Sequence, residues 1–296
     1  FKGSPLGHNI LGTAEQVRAF TTEDALRFTR KLYRPDNAIF FAYGNIDFKK
    51  LVKLIGRALA DNDSMSKLAN NEVPQISQIT QISRDENSIA EEKSVSSVKS
   101  VGPKNYPSVG DGIAGQTIVM QKNTHQAHVM IGTRAYDVND SRRMPLYLLN
   151  NMLGGPGMNA KLNLALREHN GLVYTVESTM VAYGDTGIWS IYFGCDEHDV
   201  KRCLRLVRKE LDKFMQKPLS EAQLKAAKKQ IKGQVGVACD NRENFALDFG
   251  KSFLHYGWEK NVDRLYEQVD EITAEQIQAV AQELFDKDRL TTLIFR

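Results

Sequence analysis

The chain has 296 residues, room for two domains of ordinary size. Its 42% hydrophobic and 25% charged residues are the usual balance of a globular protein. No apolar run reaches the ~18–20 residues of a membrane span, and a formal charge of +3 is too small to draw in nucleic acid, so neither is expected as a partner.

In chain order, Thr21-Thr22-Glu23-Asp24 predicts a helix start, because its side-chain oxygens can take up free backbone N–H groups. Ala25, Phe28, Leu32 and Tyr33 follow at helical spacing until Pro35 ends the helix. Residues 37–43 (NAIFFAY) read as a buried strand with Gly44-Asn45 as its turn, and a helix is expected near 49–60. Residues 62–113, rich in Ser, Asn, Gln and charge, read as a linker.

Beyond the linker, 116–121 and 127–134 predict strands, and Pro145 opens a helix carrying Leu148, Leu149, Met152 and Leu153. Gly154-Gly155-Pro156-Gly157 breaks that helix. Asn159 is the expected cap of a second helix that ends at Gly171. Residues 172–178, 180–183 and 187–194 read as three consecutive strands. Val200, Cys203, Leu204, Val207, Leu211 and Phe214 put one apolar stripe on a helix. Ser220 with Gln223 starts further helices running to about Tyr256, and Thr273 with Gln276 starts another, before a final strand at 290–295. The expected fold class is α+β: two-layer units of mainly antiparallel sheet packed with helices.

An internal repeat organises this pattern. Residues 14–41 align without a gap on 266–293 at an offset of 252, with seven of 28 positions identical. Glu15-Gln16-Val17 falls on Glu267-Gln268-Val269, and Thr21, Glu23, Leu32 and Asp36 fall on Thr273, Glu275, Leu284 and Asp288. The later copy closes a long unit, whereas only 20 residues precede Thr21. Equivalence of the two units therefore predicts that the first is short of roughly 140 residues at its start. The expected domains are a remnant of a first half at 1–61, the linker at 62–113 and a second half at 114–296. An uncovered sheet edge in the remnant favours homodimerisation through 1–61.

The most specific stretch is Gly154 to Val176, GGPGMNAKLNLALREHNGLVYTV. With Gly12-Thr13, the segment YRPDNAIFFAYGNID and Gln126-Ala127-His128, it resembles the pitrilysin/insulinase zinc peptidases, the inverzincins, and within them the branch of the mitochondrial processing peptidase. The resemblance runs over nearly the whole chain. It implies two homologous halves closing around a peptide. The first half carries zinc on an H-x-x-E-H helix with a downstream glutamate; the second carries no metal. The second half contributes an arginine and a tyrosine seven residues apart, here Arg167 and Tyr174, which would bind the scissile region and stabilise the oxyanion. Gly154, Gly155, Gly157 and Met158 would form a loop beside the substrate chamber.

No H-x-x-E-H occurs in the sequence: Ala165 and Gly194 stand where the first histidine would precede the Glu-His pairs at 168–169 and 197–198. The expectation is therefore zinc on an absent N-terminal segment, none on this chain, and no peptidase activity by this chain alone. Its partners would be a peptide substrate and the missing half or a partner subunit. A catalytically inactive homologue that scaffolds or presents peptide is the alternative.

Simpler readings stand beside these. Arg167 could be a favourable cation at a helix C-terminus, Tyr174 a strand core residue, and the glycine run a helix-to-helix turn. His125 and His128, three apart on a strand, would face opposite ways and share no ion. Lys225, Lys228, Lys229 and Lys232 make a basic helix face, solvated or lining a chamber. Cys195, Cys203 and Cys239 lack Cys-x-x-Cys spacing and are odd in number, which predicts reduced thiols and a cytoplasmic or organellar-matrix setting. Cys195 lies on an expected strand with no histidine paired to it, which argues against a nucleophile.

Overall fold

The computed structural model describes residue 1 and residues 4–60, 114–122, 124–257 and 261–296. The linker expected at 62–113 lies outside the described residues. Compactness divides the chain differently from the repeat: residues 1–32, 114–241 and 261–296 make one unit, and 33–60 with 242–257 another.

The larger unit is built on a five-stranded sheet. Its strands are β1 (Thr117–Met120), β2 (Ala127–Ala135), β3 (Val173–Ala182), β4 (Gly187–Cys195) and β5 (Thr291–Phe295), in the order β1-β5-β2-β4-β3. Only β1 and β5 run parallel; β2 is antiparallel to both β4 and β5, and β3 to β4. The sheet is α+β in type, as expected. Residues 172–183, read from sequence as two strands, form the single strand β3, with a register irregularity between Val173 and Val176. Thr179, which fell between the two expected strands, pairs with Ser190 as its neighbours pair with theirs, because cross-strand bonding overrides weak local propensity.

Strand alternation sends one face into the core. Val129, Ile131, Ala135, Trp189, Ile191 and Phe193 are buried, whereas His128, Met130, Ser190 and Tyr192 face away and stay partly or fully exposed. Helices cover the buried face: α4 (Arg143–Gly154), α5 (Val200–Gln216), α6 (Glu221–Asp240), α8 (Val262–Glu271) and α9 (Ala274–Leu284). The predicted stripe on α5 is buried at Val200, Cys203, Val207, Leu211 and Phe214. Ser220–Gln223 and Thr273–Gln276 are reciprocal capping boxes, as their sequence predicts. Trp189 packs its ring 4.5 Å from that of Phe285. At the rim, Tyr136 donates its hydroxyl to Glu283 Oε2 at 2.6 Å, and Arg142 bonds both Glu283 and Asp140.

The repeat holds in where its helices end and is opposite in burial. Helices α1 (Ala14–Ala19) and α2 (Thr22–Leu32) end at the counterparts, 252 residues on, of the ends of α8 and α9. Thr21 and Asp24 bond each other reciprocally, backbone to side chain, at the position of the Thr273 box. Yet Val17, Phe28 and Tyr33 are 54%, 56% and 78% exposed where Val269, Val280 and Phe285 are 1%, 2% and 0%.

The smaller unit holds α3 (Phe48–Ala60), close to its predicted span, and α7 (Arg242–Tyr256). Residues 38–43, expected as a buried strand, are extended but unpaired, and Phe40 is 78% exposed. A strand exists only when its N–H and C=O groups meet a neighbour, and among the described residues no strand lies beside this segment. Its alternate residues lie on α7 instead: Phe41 sits 5.0 Å from Phe249 and Tyr43 6.0 Å from Phe245, ring to ring.

Two outcomes are expected. In hydrogen–deuterium exchange of the 296-residue chain, amides of β5 exchange slowly and those of residues 39–43 exchange as unprotected backbone; equal protection would show that 39–43 has found strand partners. Burial first, then the bond to Glu283, holds the Tyr136 phenol protonated well above its ordinary range. Its folded pKa is raised, so its contribution is full below the unfolded value of about 10 and is lost as pH rises past it. Tyr136→Phe should lower stability by about 0.5–1.5 kcal/mol at neutral pH and flatten the alkaline loss of thermal midpoint; an equally steep loss would assign the effect to other groups.

Candidate functional site

The turn after α4 is set by how closely that helix meets the sheet. A Cβ on Gly154 would lie 2.5 Å from the Ser178 backbone nitrogen and 2.8 Å from Ser178 Cβ. Only glycine lets the helix end lie directly on β3. The same junction is fixed by Asn150, which donates to the Ser178 carbonyl at 3.0 Å and accepts from its hydroxyl at 2.6 Å. Gly155 caps α4 through its N–H to the Asn151 carbonyl, and Met158 stands at the tip of the turn, 70% exposed.

Asn159, expected as a helix cap, spends its amide elsewhere, pairing with Gln230 of α6. The helix that follows is not an ordinary α-helix beyond its first two residues. Asn163–Glu168 is a π-helix, closed by the His169 N–H reaching the Leu164 carbonyl at 3.0 Å. Asn170 donates to the Ala165 carbonyl at 2.8 Å and accepts from Arg202 of α5 at 2.9 Å, which anchors the helix end. Gly171 turns the chain with φ +60°, a left-handed conformation that glycine adopts without strain, and β3 begins two residues later.

Arg167 therefore ends the π-helix and Tyr174 begins the adjoining strand. The Arg167 side chain is 47% exposed, and among the described residues its one ion pair, to Glu168, is 3.9 Å long. Tyr174 is 84% exposed, and its hydroxyl makes no hydrogen bond among the described residues. A strand core residue would be buried, so the simpler reading of Tyr174 fails. Arg167 at a helix end still satisfies the dipole argument, which does not compete with a binding role. No bond joins the two side chains. The glycine turn and the π-helix are joined through Asn163, whose Nδ2 donates to the Met158 carbonyl at 2.9 Å and lies 3.4 Å from Glu168 Oε1.

The sequence reading missed the amides Asn151, Asn163, Gln230 and Gln234 around this turn. Their signal was Gln230 and Gln234 one helical turn apart on α6, facing a glycine turn flanked by asparagines.

Other candidates resolve into structure. Lys228 donates to the Asp270 carbonyl and Lys232 pairs with the Asp270 carboxylate, so half of the basic face is used to hold α6 to α8. His128 is bonded to the Tyr192 hydroxyl at 2.8 Å, while His125 lies in the turn before β2. The Cys195 thiol, buried against Cys203, is pushed up and protonated, which disqualifies it as a nucleophile.

Among the described residues one cluster could share a cation, Asp196, His198 and Asp199. It offers a single imidazole, already 3.4 Å from Asp199, and two of its three residues are exposed. That donor set does not fit a catalytic zinc site, which needs three fixed protein ligands and an open position.

A family model described as the peptidase M16 inactive domain matches residues 19–231. The chain belongs to this family. The family is that of the pitrilysin-type zinc peptidases, as the motif order predicts. An uncharacterised zinc protease of Streptomyces coelicolor is 27% identical over 287 residues, which is 97% of this chain and 56% of that protein. A protease from Helicobacter pylori has a similar fold, with a TM-score of 0.70 at 17% identity over 97% of this chain and 61% of that one. A chain of complex III2 from Candida albicans matches with a TM-score of 0.70 at 20% identity, over all of this chain and 63% of that one. This chain thus spans between half and two thirds of the length of these relatives. Among the described residues no helix is long and apolar enough to cross a membrane.

Gly154→Ala should destabilise the larger unit by about 1–3 kcal/mol, the usual cost of forcing atoms into a filled contact, read from urea unfolding. A neutral result would mean that α4 can lift from β3 freely.

Proposed function

We propose that this chain is the metal-free, substrate-holding part of an M16-type zinc metalloendopeptidase that hydrolyses extended peptides or unfolded segments. The observation that carries this is an exposed tyrosine hydroxyl with no hydrogen bond among the described residues, together with an exposed, weakly paired guanidinium, on successive elements at the family spacing. Zinc, named in the relatives' descriptions, would be held by polypeptide other than these residues, because their donor set does not fit it.

The work of this chain is binding and orientation. Peptide hydrolysis turns a carbonyl oxygen into an oxyanion, and a preplaced donor stabilises that charge more than it stabilises the starting carbonyl. The Tyr174 hydroxyl is such a donor. The Arg167 guanidinium, always charged and carrying five N–H groups, grips backbone carbonyls of the substrate and fixes its register. The glycine turn, joined to the helix of Arg167 through Asn163, carries the exposed Met158 at its tip and would contribute a flexible apolar contact.

In the zinc-loaded intact enzyme, Tyr174→Phe should lower kcat by about 10²–10³, the usual loss for one oxyanion donor. Arg167→Ala should chiefly raise KM for a quenched-fluorescence peptide. Turnover unchanged by both substitutions would remove this chain from the chemistry and favour a scaffolding or peptide-presenting role.

A further inference from the structure

The turn that carries Met158 is held from outside by amide groups. Asn159 Nδ2 donates to Gln230 Oε1 at 2.9 Å, and Gln230 Nε2 returns a longer bond to Asn159 Oδ1 at 3.3 Å. One helical turn further along α6, Gln234 Oε1 accepts from Asn151 Nδ2 at 2.6 Å in a part-buried setting. These two contacts grip the turn at both ends, Asn151 before the glycines and Asn159 after them. The fit leaves no slack: a Cβ on Gly157 would lie 2.9 Å from Gln230 Nε2. Asn163 continues the path, donating to the Met158 carbonyl and approaching Glu168, the ion-pair partner of Arg167.

We propose that Gln230 and Gln234 are positioning residues for peptide capture, holding the glycine turn so that Met158 and Arg167 present one preformed binding edge. The proposal rests on the substrate-holding role given above to Arg167. Its physical basis is that ordering a mobile turn on binding costs affinity, and a turn already held avoids that cost. Paired amides suit the task because each side chain both donates and accepts, so the contact fixes orientation as well as distance. An apolar contact of the same size would leave the turn free to slide.

The test uses the 296-residue chain and fluorescein-labelled, carboxymethylated α-lactalbumin as an unfolded probe, with affinity read by anisotropy. Gln230→Leu keeps the volume and removes both bonds of one pair. Gln230→Glu keeps the acceptor for Asn159 and loses the donor. Arg167→Ala is the control for the underlying role, and exchange of the amides in 154–159 is followed in parallel. The expected result is about tenfold weaker binding for Gln230→Leu, and more for the double variant with Gln234→Leu. Exchange in 154–159 should be faster, the thermal midpoint unchanged, and binding largely restored in Gln230→Glu. If Arg167→Ala binds poorly while Gln230→Leu and the double variant bind like the parent, the positioning role is overturned and the substrate-holding role stands. If Arg167→Ala also binds like the parent, the substrate-holding role has failed and the positioning proposal falls with it.

Discussion

The register between β2 and β4 is the constraint on which the rest of the larger unit depends. Ile131 stands opposite Ile191 and Val129 opposite Phe193, so one set of alternate residues faces the helices and the other faces away. A slip of β4 by one residue would exchange its two faces, burying Ser190 and Tyr192 and exposing Trp189, Ile191 and Phe193. The cost would be many apolar side chains at about 1.5–3 kcal/mol each, far more than any local preference supplies. With β4 fixed, β3 is fixed beside it, and with β3 come Tyr174 and the platform on which Gly154 lies. The site is thus specified by a pairing that contains none of its residues.

What the sequence showed and what it hid follow from the range of the interactions concerned. The starts at Thr21, Ser220 and Thr273 were legible because each capping contact spans three residues of chain. The stripe on α5 was legible because its period is set by the helix itself. The π-helix was not, since its extra residue per turn leaves no mark on the apolar rhythm of 160–170. Asn159 was misread for a related reason: a cap and a distant amide pair place the same demand on an asparagine, and only the fold brings Gln230 into reach. Arg167 and Tyr174 were legible as a spacing, while the exposure on which their proposed role rests belongs to the folded state.

The repeat separates propensity from context within one molecule. Residues 22–32 and 274–284 both fold as helices of the same length with equivalent caps, although one copy is buried and the other exposed. Helical hydrogen bonds are internal to the segment, so the helix survives without its partners. Residues 39–43 and 291–295 diverge, because a strand's hydrogen bonds are made with its neighbours. Between β1 and β2 the later copy is a strand; laid against α7, the earlier one is only extended chain. Phe28 and Tyr33, exposed in the earlier copy, are the counterparts of Val280 and Phe285, which are buried in the later one.

The weakness of the Arg167–Glu168 pair bears directly on its use. An exposed pair 3.9 Å apart is worth at most about 1 kcal/mol, so in the proposed role an incoming carbonyl or carboxylate would replace Glu168 at little cost. A short bidentate pair, of the kind Arg142 makes with Asp140, would have to be broken first. The two arginines divide accordingly. Arg142 lies over the Tyr136 ring and is committed to two carboxylates, which secures the junction of β2, α4 and α9. Arg167 is held in place by its backbone, through the π-helix and the Gly171 turn, while its guanidinium stays available. Rigid main chain under a loosely paired side chain is the arrangement that the proposed peptide binding calls for, because the ordering cost is met in folding and the charge is only weakly paired.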